Sequence, residues 1–90
     1  MIALPNTVEK YSQSRAFTET TTPENFQKHH TTRPGVWGKL IVESGTVGFE
    51  WETDEGRSAL SAGDTVVIPP ETPHRVVLQG PVSFYVEFYR

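Results

Sequence analysis

Apolar residues along this chain recur at every second position. Val47, Phe49 and Trp51 alternate with Gly48, Glu50 and Glu52, the period of a strand with one buried face. In the run before it, Val36, Gly38, Leu40 and Val42 share one face, and Trp37, Lys39, Ile41 and Glu43 the other. Further strands are predicted over residues 17–22, 25–31, 57–61, 65–68, 74–79 and 82–89, the Thr-rich first of them as an edge strand. Turns are read at Arg33-Pro34-Gly35, Ser44-Gly45, residues 53–56, Ala62-Gly63-Asp64, Pro69-Pro70 and Gly80-Pro81. Seven prolines break the chain too often for long helices. About eight short strands at hairpin spacing predict an all-β fold, an antiparallel barrel or jelly roll.

Ninety residues make one domain, residues 1–90. A core of this size is modest, so pairing into a homodimer would help it. A net charge of −3, with no cluster of Lys or Arg, argues against nucleic acid as a partner. There is no cysteine, which excludes disulfides, thiolate metal sites and cysteine nucleophiles. The start of the chain lacks the basic and apolar regions of a signal peptide, and no run approaches the ~20 apolar residues of a membrane span. A soluble cytoplasmic protein with no membrane partner is the expectation.

One stretch carries chemistry. From Gly63 to Pro69 to His74, the segment Gly-Asp-Thr-Val-Val-Ile-Pro-Pro-Glu-Thr-Pro-His resembles the second conserved motif of the cupins. Gly63 permits a tight turn, residues 65–68 form a buried strand, and the prolines force a bend that aims His74 into the barrel. Glu71 stands where the motif has its second glycine, which is expected to change that turn. The first cupin motif is degenerate: Lys28-His29-His30 supplies adjacent histidines, and adjacent strand residues point to opposite faces.

The chain as a whole resembles something narrower. Ala3-Leu4-Pro5, Phe26 to His30, Arg33-Pro-Gly-Val-Trp-Gly-Lys-Leu40, Pro73-His74-Arg75-Val76 and Phe84-Tyr-Val-Glu-Phe88 look like the small cupin-like domain of the tellurite-resistance protein B family. In that family the domain stands alone or precedes a methyltransferase domain. No glycine-rich strand-to-helix loop for a nucleotide-type cofactor occurs here, so methyl transfer to tellurium would need a separate protein. The family's single histidine after the Phe26 region corresponds to His30.

A metal site is therefore sought around His74 and His30, with His29 facing away. Two histidines and one carboxylate would suit zinc, iron or manganese. Glu87 is the first candidate for the carboxylate, as a charge inside an aromatic strand. If the face carrying Phe84, Val86 and Phe88 is the core, however, Glu87 points outward. Glu50 is a weaker candidate, and Glu71 lies in the bend beside His74. Arg75 should face away from the pocket and pair with a carboxylate. Trp37 and Lys39 mark either a face covered by the N-terminal segment or a dimer surface.

No serine sits in a nucleophile elbow, and no loop cradles phosphate. Three functions remain in competition. One is a small binding protein with a pocket for a metal, an oxyanion or another small molecule. The second is a non-catalytic homodimeric module with a vestigial metal site. The third is a small metal-dependent enzyme.

Overall fold

The computed structural model describes residues 3–28, 30–52 and 57–90. Six strands form one sheet: β1 (Lys10–Gln13), β2 (Phe17–Thr18), β3 (Trp37–Trp51), β4 (Arg57–Ser61), β5 (Thr65–Ile68) and β6 (His74–Tyr89). All pairings are antiparallel, as the alternating pattern predicts. The backbone of the sheet is the long β3–β6 pair, which runs from Trp37 opposite Tyr89 to Trp51 opposite His74. On the far edge of β3, β5 covers Gly38 to Ile41 and β4 covers Thr46 to Glu50. On the far edge of β6 lie β1 and β2.

Two turns read from the sequence are bulges instead. Ser44-Gly45 and Gly80-Pro81 lie inside β3 and β6, where the ladder register shifts. Inward positions on β3 are even-numbered up to Val42 and odd-numbered from Val47 onward. An extra residue at the bulge flips that parity without reversing the chain. Gly45 takes φ +73°, and a Cβ there would fall 2.0 Å from the Pro81 carbonyl oxygen. Only glycine lets the two strands approach so closely at this bend.

Residues 25–31 do not form a strand. Glu24–Gln27 is a single 3-10 turn, closed by Phe26 N–H donating to Pro23 O at 3.0 Å. Pro23 and Asn25 favour this local bonding over a ladder. Of residues 17–22 only Phe17 and Thr18 pair with β6. Beyond them, Thr21 and Thr22 donate back to Thr18 O, and the Thr18 amide donates to Thr21 Oγ1.

The buried face gathers Leu40, Val42, Val47, Phe49, Val76, Val82, Phe84 and Val86, joined by Phe17, Leu60 and Ile68. Phe49 and Phe84 are among the most deeply buried, and truncating either to alanine costs about 3–5 kcal/mol. Leu40 and Val86 come from one half of the β3–β6 pair, and His74 and Val76 from the other. All four line one cavity, so the sheet curls over on itself in the manner of a barrel. Among the described residues no helix is long and apolar enough to cross a membrane.

Candidate functional site

The Pro-rich bend delivers His74 to the start of β6 as expected. Its side chain is buried, 7% exposed. Glu71 sits in that bend with φ +56°. There glutamate holds a left-handed backbone that glycine adopts without strain. The bend also brings the Thr72 carbonyl to 2.8 Å from His74 Nδ1. A carbonyl only accepts, so Nδ1 carries the proton and Nε2 keeps its lone pair.

His30 reaches the same place by a different route. After the 3-10 turn the chain crosses the end of β6, and His30 and His74 form an antiparallel bridge. Each main-chain N–H donates to the other's carbonyl at 2.9 Å. Residues paired this way project their side chains to the same face. The two ring centres are 5.3 Å apart and the rings nearly perpendicular, at 86°.

Aromatic rings fix both imidazoles. Phe49 stacks on His74 at 5.6 Å and 15°, and Trp51 meets its edge at 6.2 Å. Phe26 lies 4.8 Å from His30. Sequence reasoning placed Phe49 and Trp51 on the core face but not at the site. Their place at the site follows from the ladder, in which Trp51 is the register partner of His74, a long-range pairing with no local sequence signal. Burial lowers the pKa of His30 below its ordinary 6.5. Burial also lowers that of His74; the Thr72 carbonyl opposes the shift, and the neighbouring His30 adds a smaller lowering. Both shifts favour the neutral ring, which carries a lone pair.

The pair borders a cavity of about 30 Å³, room for roughly one or two water-sized groups. Its other walls are mostly apolar, including Leu40, Ile68, Val76 and Val86. A second, wider groove of about 380 Å³ lies on the outside and shares Phe26, His30, Thr32 and Phe88 with the cavity.

The remaining sequence candidates do not join the histidines. Glu87 stands on the opposite face of β6, where it accepts from Lys10 Nζ at 3.0 Å and from the Tyr89 hydroxyl at 2.8 Å. Its outward placement follows from Phe84 and Val86 facing the core, and it corrects its selection as the third ligand. Glu50 is also on the outer face, bound by Arg57 and Arg75; this is the ion pair expected of Arg75. Glu71 is exposed and His29 lies outside the described residues. Among the described residues no group of three His, Cys, Asp or Glu side chains could hold a metal ion.

The donor set therefore fits a cation only in part. Two imidazoles bound to one tetrahedral ion would place their ring centres about 5 Å apart, given metal–nitrogen bonds near 2 Å. The observed 5.3 Å meets that condition. Two ligands leave the rest of the coordination sphere open, so the described residues do not build a closed structural centre.

Comparison with known proteins agrees with this architecture. A protein from Escherichia coli K12 superposes with a TM-score of 0.86 at 25% identity, covering 100% of this chain and 97% of that one. The crystal structure of TehB from Haemophilus influenzae superposes at 0.83 with 29% identity, over 93% of this chain but 32% of that one. A cupin-2 domain protein from Shewanella frigidimarina shares the fold at 0.58 with 17% identity, over 94% of this chain and 72% of that one.

In sequence, 46 residues are 39% identical to the probable S-adenosyl-L-methionine-dependent methyltransferase TehB of H. influenzae strain 10810. That match covers 51% of this chain and 16% of that protein. The model of the TehB-like domain matches residues 12–86. With a cupin-type fold and this match along most of its length, the chain belongs to the TehB-like domain family.

Proposed function

We propose that this protein is a small cupin-type binding module that captures a ligand at His30 and His74. One observation carries the reading: two neutral imidazoles, locked by a main-chain bridge and by aromatic rings, share one side of a small apolar cavity. A cavity of this size takes an ion or a water-sized group. Neutral imidazoles with free lone pairs favour a divalent cation of the zinc, iron or manganese class. Such an ion would polarise whatever oxygen or nitrogen completed its sphere. With two protein ligands among the described residues, the site favours capture over catalysis by a resident cofactor.

The resemblance to the tellurite-resistance family makes oxyanions one class of ligand for that open side. Methyl transfer is no part of the proposal.

The test uses untagged protein titrated with zinc and followed by calorimetry. One equivalent is expected to bind, and His30→Ala and His74→Ala should each abolish uptake. Absence of uptake by the unsubstituted chain, together with an unfolding midpoint unchanged by chelator, would overturn the reading.

A second reading, self-association, is favoured by the outer face of the sheet. Trp37, Ile41, Val67, Tyr85 and Tyr89 are half-buried there, around Lys39 opposite Glu87 in the ladder. Light scattering on the eluting peak tests it, with Trp37→Glu expected to yield monomer. An unsubstituted chain that elutes as monomer ends that reading.

A further inference from the structure

We propose that the groove outside His30 is a binding site for a small oxygen-bearing anion, a carboxylate or an inorganic oxyanion, with Arg33 as its counter-charge. This rests on the capture site just described and names what meets its open side. The groove, about 380 Å³, is the size of a small-ligand site. Its lining includes Arg33 and no carboxylate, although the chain as a whole carries −3. Arg33 forms no ion pair with any described residue. Of the other exposed arginines, Arg57 and Arg75 are both engaged by Glu50, Arg90 lies over the Tyr11 ring at 4.0 Å, and Arg15 is not part of the groove lining.

The groove also presents donors. Tyr11, Ser12 and Thr31 are among its lining residues, and none of their hydroxyls has a hydrogen bond among the described residues. The rim that carries Arg33 is firmly placed. Val36 N–H donates to the Arg33 carbonyl at 3.0 Å, Pro34 restricts the turn, and Thr32 Oγ1 donates to Pro69 O at 3.4 Å. An arginine and several hydroxyl-bearing residues around one concavity suit planar or tetrahedral oxygens.

The division of labour follows from desolvation. A bare anion would be costly in the apolar inner cavity, which offers it no positive charge. Its charged oxygens are therefore held at the rim by Arg33. His30 is common to cavity and groove, so an anion held at Arg33 would lie beside the histidine pair that would hold a cation.

The experiment titrates ¹⁵N-labelled full-length protein with acetate and, separately, with sulfate, each with and without zinc. Saturable shifts are expected at Thr31, Thr32 and the Arg33 side chain. Arg33→Gln should weaken that binding about tenfold or more and leave zinc uptake intact, while Arg57→Gln changes neither. Preference for acetate assigns a carboxylate ligand, and preference for sulfate assigns an inorganic oxyanion. Equal affinity in Arg33→Gln, shifts centred on Arg57 and Arg75, or no saturable binding of either anion would overturn the inference. Loss of zinc uptake in the unsubstituted chain would instead overturn the capture site, with Arg33 dependence still decided in the zinc-free titration.

Discussion

His30 and His74 exchange both hydrogen bonds of an antiparallel bridge, each 2.9 Å long. The main chain, and not the side chains alone, therefore sets the 5.3 Å separation of their rings. A ligand between them meets donors whose positions were fixed when the sheet formed. That preorganisation lowers the ordering cost of binding.

The first prediction concerns ligand-linked stability. At zinc a hundredfold above its dissociation constant, mass action adds about 2.7 kcal/mol. For a domain of this size the unfolding midpoint should rise by roughly 10 °C or more. Calorimetry should show the rise in the unsubstituted chain and in Glu87→Gln, whose side chain faces away from the histidines. It should vanish in His30→Ala and His74→Ala. A rise abolished by Glu87→Gln would mean that the outward placement of Glu87 is wrong.

The second concerns pH. Burial holds both histidine pKa values below 6.5 in the folded chain. Below that pH the unfolded chain binds protons that the folded one does not, so stability is full above about 6.5 and falls as pH drops toward the folded values. Glu50 and Glu87 are held below their ordinary 4.5, Glu50 by its two arginines and Glu87 by Lys10 and Tyr89 against its burial. Their contribution is present above 4.5 and is lost only as pH falls further. Urea midpoints measured between pH 7 and 5 should therefore decline in the unsubstituted chain. They should decline less in a His30→Gln, His74→Gln double variant. Parallel curves would contradict the assignment.

The third isolates the bulge. Gly35, Gly45 and Gly63 all have positive φ, but only at Gly45 would a Cβ strike backbone, 2.0 Å from Pro81 O. Gly35→Ala and Gly63→Ala should each cost about 1–2 kcal/mol from backbone strain alone. Gly45→Ala should cost clearly more, about 3 kcal/mol or above, since strand separation adds to strain. Three equal losses by chemical denaturation would show that the close approach does not matter.

The fourth concerns the strained bend. Glu71→Gly relieves the left-handed strain at φ +56° but gives the unfolded chain more freedom. The balance predicts a gain of up to about 1 kcal/mol, with Glu71→Ala giving none because its Cβ keeps the strain. Thermal unfolding of the two variants side by side decides the matter.

The sequence by itself determined the strand faces. Alternation of Leu40 and Val42 with Lys39 and Ile41, and of Phe49 and Trp51 with Glu50 and Glu52, fixes which side is core, because successive strand residues point to opposite faces. That same rule already told against Glu87, whose neighbours Val86 and Phe88 face inward. It also determined that His74 opens a strand after a Pro-rich bend, because Gly63 and Pro69 act locally.

Local signals failed where partners are distant in sequence. Ser44-Gly45 and Gly80-Pro81 have the composition of turns, yet each lies opposite the other region on a partner strand, and pairing across the ladder makes them bulges. Residues 25–31 carry apolar and polar residues in a plausible strand order, but Pro23 and Asn25 hydrogen bond locally, and among the described residues of this stretch the main-chain bridge to β6 is made by His30. The pairing of His30 with His74 spans 44 positions, and nothing in either neighbourhood encodes it. Only closure of the sheet brings the two rings together, because long-range main-chain pairing sets which residues share an edge.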